Sequence, residues 1–261
     1  MAFTGTAMTV FKDLDTSILM FINSFVGRWP VVDDAVRVLA DWNFGRGAWL
    51  AVFLLWAWFR SAQGDGRLKI VSGLAGVIVA TGLSRLAQIM VPFHARPFNF
   101  VTEFGLTEAR NLDTHWGYAS SFPSDTATLY FAVAAIIFSL SRVWGVAAFV
   151  WVAAVIALPR VYLLNHWPSD IVAGFALGVA GVALAQRCRH TVPQFGFAVT
   201  FERLEPQWFY PLLFLLLYQV VDSFNAVEVT LHELKALSKH MAGTHQAVEH
   251  VTGPAANPAR L

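Results

Sequence analysis

Charged residues are scarce in this 261-residue chain. Asp, Glu, Lys and Arg make up 13% of it, against about a quarter of an ordinary soluble domain. Hydrophobic residues make up 56% and mean hydropathy is +0.54, which argues against a soluble globular protein. The 18 basic and 17 acidic residues leave a formal net charge of +1. A nucleic-acid partner is therefore not expected, because no excess positive charge is present to bind phosphates.

Cysteine is almost absent, since Cys188 is the only one. The chain can therefore form no internal disulfide, and a cysteine-based zinc site has no partners. The first 15 residues also lack the basic stretch, apolar run and small-residue cleavage site of a secretory signal peptide. We expect an internal, retained segment to insert the chain into a membrane.

Six apolar stretches are long enough, or nearly so, to cross a bilayer as helices. A crossing of ~30 Å needs about 20 mostly apolar residues, because every backbone polar group must be satisfied within the segment. The stretches cover approximately residues 44–59, 68–91, 123–140, 144–164, 168–185 and 208–221. The sequence thus predicts an all-α, polytopic membrane helix bundle over residues 44–222, with about six transmembrane helices.

Both ends of the chain are predicted to lie along the membrane surface rather than to cross it. In residues 1–43, two short apolar stretches are interrupted by Trp29-Pro30 and by aspartates, which is typical of interfacial helices; a single bent crossing is the alternative. In residues 223–261, apolar residues recur at helical spacing over 225–241. This pattern predicts an amphipathic helix followed by a disordered tail.

Lysine and arginine in the short connections predict the orientation, because positive charge is retained on the cytoplasmic side. The three basic connections contain Arg60, Arg67 and Lys69; Arg142; and Arg187, Arg189 and Arg203. If these are cytoplasmic, the polar loops at 92–122 and 159–167 face the opposite side together. We expect a multi-pass protein of a bacterial inner membrane, with its active site facing the periplasm or the exterior.

One of these polar loops places a histidine beside a helix start. Pro168 suits the first residue of a helix, which puts Asp170 in the first turn and His166 just before it. The carboxylate can hold one imidazole nitrogen and leave the other free, oriented and more basic, so that it can attack phosphorus. The structural alternative is that Asp170 only caps the helix while Arg160 extends to lipid headgroups.

The other polar loop adds groups that bind phosphate. Arg96-Pro97 ends one predicted crossing and Pro123-Ser124 begins another. At a helix start, the Ser124 hydroxyl and the N–H groups after it can bind an anion with help from the helix dipole. Arg96 and Arg160 can hold phosphate oxygens through their forked guanidinium groups. The two loops together predict a phosphate site beside an activated histidine.

In these residues the sequence resembles the type 2 phosphatidic acid phosphatase superfamily. The signatures of that family are Lys-x6-Arg-Pro, Pro-Ser-Gly-His and Ser-Arg-x5-His-x3-Asp. The corresponding residues here are Arg96-Pro97, then Pro123-Ser124-Asp125-Thr126, then Arg160, His166 and Asp170. The resemblance covers approximately residues 14–185, in the order of both the motifs and the predicted crossings.

The resemblance implies a role for each matched residue. His166 would be the nucleophile that forms a phosphohistidine, and Asp170 would orient it. The substrate would be bound by Arg96, Ser124, Asp125, Thr126 and Arg160. No metal or other cofactor is implied. The substrate would be a lipid phosphate or diphosphate in the bilayer, and transfer to a hydroxyl acceptor instead of water would share the first step.

Two positions depart from the family signatures. The signature lysine, seven residues before Arg96, is replaced by Ile89, and the histidine that protonates the leaving group is replaced by Thr126. Threonine cannot donate a proton near neutral pH. We hypothesise that the substrate is a lipid diphosphate, such as a polyprenyl diphosphate, because its leaving phosphate carries its charge well. The alternative is that another residue donates the proton.

Other residues are candidates for the missing groups. His115 is the first candidate for a catalytic proton donor, followed by His94 and Asp125. Arg85, one turn before position 89, is expected to be paired inside the bundle rather than to reach the phosphate. The competing hypothesis is a catalytically impaired membrane protein that binds lipid phosphate or acts as a scaffold, because two signature residues are replaced.

Overall fold

Proline marks the beginning of many helices in the computed structural model, which describes residues 2–61, 65–108 and 120–223. At the first helical position its missing N–H would have no intrahelical partner in any case. The helices are α1 (Ala2–Asn23), α2 (Pro30–Asp41), α3 (Asn43–Arg60), α4 (Asp65–Met90), α5 (Val101–Phe104), α6 (Asp125–Leu140), α7 (Arg142–Trp151), α8 (Leu158–Tyr162), α9 (Pro168–Arg187), α10 (Pro193–Leu204) and α11 (Pro206–Val221). A 3₁₀ turn at Pro97–Phe100 precedes α5. The described part of the chain contains no strand, so the predicted all-α class is confirmed.

Each of the six predicted apolar stretches coincides with a helix. Helices α7 and α8 are joined by a π-helical segment, Val152–Ala157, into one helix over Arg142–Tyr162. That helix, α4 and α9 are long and apolar enough to cross a membrane. Helices α6 and α11 are shorter apolar helices. The bundle is therefore that of a membrane protein, and a crossing by each of the six helices stays a prediction.

Helix α6 lies at the centre of the bundle, where it packs against α4, α7 and α9, and it is apolar on all sides. Glycines let α9 approach it closely. A Cβ atom on Gly174 would lie 2.6 Å from the Ser124 carbonyl oxygen, and one on Gly178 would lie 2.4 Å from that of Thr128. The close approach brings the start of α6 against the start of α9, which is where the two polar loops begin or end.

The N-terminal helices pack against the same end of the bundle. The carboxylate of Asp15 in α1 accepts hydrogen bonds from the backbone N–H and the hydroxyl of Ser169, at 2.8 and 2.5 Å. At the end of α1, the Asn23 side chain makes two hydrogen bonds of 2.8 Å with the backbone of Thr107. Placement of residues 1–43 at the membrane interface stays a prediction.

Several ion pairs lie at the opposite end of the bundle. Arg67 in α4 pairs with Glu202 in α10 at 2.5 Å, and both side chains are largely buried. Asp65 pairs with Lys69 at 3.2 Å and with Arg189 at 2.5 Å. Helix α10 was not predicted from the sequence. The amphipathic helix predicted over 225–241 lies outside the described residues.

Candidate active site

Hydrogen bonds to backbone carbonyl oxygens hold the first polar loop and join it to the second, as the sequence predicts. The Ser121 N–H donates to the His94 carbonyl oxygen at 2.9 Å, and the Trp167 indole N–H donates to the Ala95 carbonyl oxygen at 2.8 Å. Between them, the Arg96 guanidinium donates to the Asn165 carbonyl oxygen at 3.0 Å. The loop after α4 is thus fixed to the segments that precede α6 and α9.

The beginning of α6 is held by both of its neighbours. The Gln88 side-chain amide of α4 donates to the Pro123 carbonyl oxygen at 2.8 Å. On the other side, the Ser124 N–H donates to the Asp170 carbonyl oxygen of α9 at 3.1 Å. These bonds place residues of all three family signatures at one end of the bundle.

His166 is oriented by a backbone carbonyl that the sequence analysis did not identify. The side chain is buried, and its Nδ1 atom lies 3.0 Å from the Ser121 carbonyl oxygen and 3.5 Å from Asp170 Oδ2. A carbonyl oxygen can only accept, so Nδ1 carries the hydrogen in this arrangement. The lone pair is then on Nε2, which is the nitrogen that a nucleophilic role requires. This contact could not be predicted from residue types, because the acceptor is a backbone carbonyl oxygen.

Asp170 both caps its helix and contacts two imidazole rings. Its side chain is fully buried, and Oδ2 accepts a hydrogen bond of 2.8 Å from the Trp167 N–H at the start of α9. Its other oxygen, Oδ1, lies 3.4 Å from Nδ1 of His94. The cap and the contact with His166 coexist, so the structural alternative does not exclude the predicted orienting role.

Two arginines at the site have guanidinium N–H groups without partners. Arg96 is 8% exposed, and its Nε, like that of Arg160, is buried without a hydrogen-bond partner in the described part of the protein. Burial lowers the pKa of Arg96, and repulsion from Arg160 acts in the same direction, while Asp125 and Asp170 oppose both. Each unmade buried hydrogen bond costs about 1–3 kcal/mol. Phosphate oxygens would satisfy these donors.

The predicted anion site at the start of α6 is partly occupied by the protein itself. Ser124 is fully buried, and its Oγ accepts from the Ala127 N–H at 3.3 Å. The Asp125 carboxylate accepts from the Thr126 N–H at 2.7 Å. The expectation that the N–H groups after Ser124 are free is therefore wrong for these two. The Ser124 hydroxyl hydrogen can still be donated to a phosphate oxygen, because its oxygen acts as the acceptor.

The residues at and near the positions that differ from the family signatures do not replace the missing lysine and histidine. Ile89 is 82% exposed, and its apolar side chain cannot bind phosphate. Arg85 pairs with Asp125 at 2.7 Å, which confirms the expectation that it is paired inside the bundle. His115 lies outside the described residues, so its role stays a prediction. Over residues 2–61, 65–108 and 120–223, no cluster of three metal-ligating side chains is present.

One further cation, Arg46 of α3, was missed because it lies within a predicted crossing. It is 2% exposed, and its Nε and Nη1 atoms make no hydrogen bond within the described residues. Its guanidinium repels that of Arg160 and is attracted by Asp41 and Asp222. Such a residue in an apolar bundle indicates a functional position.

The order and geometry of these residues agree with a family match. Residues 91–194 match the PAP2 superfamily. They form the region of this chain that is similar to that superfamily. The region contains Arg96, Ser124, Arg160, His166 and Asp170, and it begins just after α4 and ends in α10. The resemblance identified from the signatures is thereby confirmed.

Three relatives illustrate the range of names in this similarity. A protein of Escherichia coli that carries the provisional name undecaprenyl-diphosphatase is 34% identical over 137 residues, 52% of this chain and 64% of the relative. A bacitracin transport permease protein of Bacillus licheniformis is 27% identical, over 65% of this chain and 77% of the relative. A lipid A 1-phosphatase of Rhizobium etli is 27% identical, over 52% and 63%. The chain spans less than two thirds of the first relative's length. It matches no solved structure.

Proposed function

We propose that the protein is an integral membrane phosphatase or phosphotransferase that acts on a lipid-linked phosphate or diphosphate through a phosphohistidine. The observation that carries this proposal is the environment of His166. The Nδ1 hydrogen of this buried imidazole is held by a carbonyl, which leaves the lone pair on Nε2. At the same end of the bundle, the buried Nε atoms of Arg96 and Arg160 have no hydrogen-bond partner among the described residues.

The proposed reaction has two steps that use the same phosphate site. The Nε2 atom of His166 attacks phosphorus, a P–N bond forms, and the P–O bond to the lipid group breaks with its electron pair on the leaving oxygen. The negative oxygens of the transferring group lie between Arg96 and Arg160, whose positive charge stabilises the transition state. Water or a hydroxyl acceptor then attacks phosphorus and releases His166. Nothing in these steps requires a metal.

A polyprenyl diphosphate is the favoured substrate, and a lipid phosphate monoester is the second. The name of the Escherichia coli relative supports the first, and that of the Rhizobium etli relative supports the second. Thr126 at the position of the signature acid also favours the diphosphate, because a departing phosphate needs less help from a proton donor than an alkoxide does. The basic connections support a site on the non-cytoplasmic face.

Phosphate release by purified protein tests the proposal. The substrates are a polyprenyl diphosphate, the corresponding monophosphate and phosphatidic acid, and the variant is His166→Ala. His190→Ala is the matched control, because this histidine is exposed and pairs with Asp65 at the opposite end of the bundle. We expect release by the wild type and the control, none by His166→Ala, and an acid-labile phosphorylated protein when the terminal phosphate is radiolabelled.

Two results would contradict the proposal. If neither wild type nor variant releases phosphate while both still bind the lipid, the protein is the catalytically impaired binding or scaffolding protein. If His166→Ala retains activity, the nucleophile has been assigned to the wrong residue.

A further inference from the structure

One carboxylate at the site serves two imidazole rings, and only one of the rings has a role so far. Asp170 Oδ2 faces His166 at 3.5 Å, and its Oδ1 faces His94 at 3.4 Å. Ser121 also contacts both rings. Its carbonyl oxygen lies 3.0 Å from Nδ1 of His166, and its Oγ lies 2.8 Å from Nδ1 of His94.

The loop holds His94 firmly in this position. The Ser120 hydroxyl oxygen accepts from the His94 N–H at 3.1 Å. The Ser121 N–H and hydroxyl both donate to the His94 carbonyl oxygen, at 2.9 and 3.1 Å. The ring packs against Phe122 and Trp167, with centroid distances of 6.2 Å to each. The ring therefore has one defined orientation at the mouth of the site.

The same contacts decide which nitrogen of His94 can deliver a proton. Because the Ser121 hydroxyl donates to the His94 carbonyl, its oxygen is left to accept from Nδ1. Nδ1 thus carries a hydrogen that the protein retains, and Nε2 is the nitrogen that gains and loses a proton. The side chain is 44% exposed, so this nitrogen can reach both a bound substrate and water.

We infer that His94 is the proton donor to the leaving group, taking the place of the signature histidine that is Thr126 here. This role rests on the proposed function. As the P–O bond breaks, the electron pair goes to the leaving oxygen, which takes the proton from Nε2 of His94. In the second step, neutral His94 takes a proton from the attacking water or hydroxyl, so that one cycle leaves the ring as it began.

The charges around His94 favour the protonated ring that this role needs. Asp170 raises the pKa of His94 most strongly, Asp15 of α1 raises it further, and partial burial acts in the opposite direction. Asp125, another candidate from the sequence, is paired with Arg85. Among the described candidates, His94 is therefore the group that can release a proton at the mouth of the site.

Substrates with different leaving groups test the role. The probes are dodecyl phosphate, whose leaving group is an alkoxide, and dodecyl diphosphate, whose leaving group is dodecyl phosphate. For His94→Gln we expect turnover of the monoester to fall about 100-fold or more and turnover of the diphosphate to fall about ten-fold or less. The alkaline limb of the pH–rate profile for the monoester should disappear. Ser120→Ala is the control, because it weakens the loop around His94 and leaves the ring in place.

The outcomes separate this inference from the proposed function. Equal losses on both substrates with an unchanged alkaline limb, or the same pattern in His94→Gln and Ser120→Ala, would overturn the proton-donor role alone. Phosphohistidine formation from the diphosphate by His94→Gln would show that the nucleophile and phosphate site are intact. Absence of turnover by the wild type on both probes would overturn the proposed function, and this role with it.

Discussion

Replacing Asp170 by asparagine removes one negative charge while keeping the shape of the side chain. The asparagine oxygen can still accept from the Trp167 N–H, so the start of α9 should remain capped. His166 becomes positively charged as its Nε2 attacks phosphorus, and the nearest oxygen of the carboxylate whose charge is lost lies 3.5 Å from its Nδ1. Coulomb's law at that distance gives about 1 kcal/mol for water and about 5 kcal/mol for an effective dielectric constant of ~20. We therefore expect kcat to fall between about 5-fold and about 5,000-fold.

The loss in kcat should be limited by a backbone carbonyl that also holds His166. Where a carboxylate alone fixes the tautomer of a catalytic histidine, as in serine proteases, the Asp→Asn change costs about 10⁴ in kcat. Here the Ser121 carbonyl holds the Nδ1 hydrogen at 3.0 Å, so the tautomer should survive. KM should change little, because Asp170 contacts imidazole rings rather than phosphate.

The assay is steady-state phosphate release by Asp170→Asn across the pH range, with Asp34→Asn, at an exposed position of α2, as the control. Because Asp170 raises the pKa of His94, its neutralisation should lower that pKa. The rate with a monoester substrate, which needs protonated His94, should then decline at a lower pH than in the wild type. Full activity in Asp170→Asn would refute the electrostatic reasoning, and an unshifted alkaline limb would refute the coupling to His94.

Three further changes test other parts of the structure. Gly178→Ala places a methyl group 2.4 Å from the Thr128 carbonyl oxygen and should destabilise the bundle by about 1–3 kcal/mol. Its Tm in detergent should be lower than that of the control Gly196→Ala, where nothing lies within 4 Å of the added carbon. Glu202→Gln leaves Arg67 buried without its counter-ion and should lower the free energy of unfolding by about 3–5 kcal/mol, whereas an unchanged Tm would contradict this estimate. Arg46→Gln should reduce diphosphate turnover. The Tm should be maintained or raised, because a buried charge with unmade hydrogen bonds is removed. An unchanged kcat/KM would exclude a role for Arg46 in the reaction.

The positions of the helices could be predicted because membrane crossings leave a strong signal. Twenty apolar residues in a row have few structural alternatives, and each of the six stretches proved to be a helix. Helix α10 carries no such signal, because Glu202 and Arg203 interrupt it. The position of α10 depends on the ion pair between Glu202 and Arg67, and Arg67 lies 135 residues earlier in the chain.

The candidate site could be predicted as a set of side chains but not as a set of contacts. The spacing of His166 and Asp170 indicated their proximity, and the structure gives 3.5 Å. The sequence could not indicate that the Ser121 carbonyl is the nearer acceptor, since any residue type at that position has a carbonyl. Nor could it indicate that Asp125 and Ser124 bond the N–H groups of the first turn of α6, because an acidic residue there is compatible with either a cap or a ligand contact.

Sharing of Asp170 gives a physical reason why the site can work without the signature histidine. A proton donor must be protonated when the nucleophile is neutral, although both are imidazoles at the same pH. Here the two rings differ in surroundings: His166 is buried, with its Nδ1 hydrogen held by the Ser121 carbonyl, whereas His94 is 44% exposed beside Asp170 Oδ1. Water stabilises the charged form of His94, and the Ser121 carbonyl holds the Nδ1 hydrogen of His166 so that the lone pair is on Nε2. One carboxylate between an exposed and a buried imidazole can thus support an acid and a nucleophile together, which is why the alkaline limb of the pH–rate profile should follow His94.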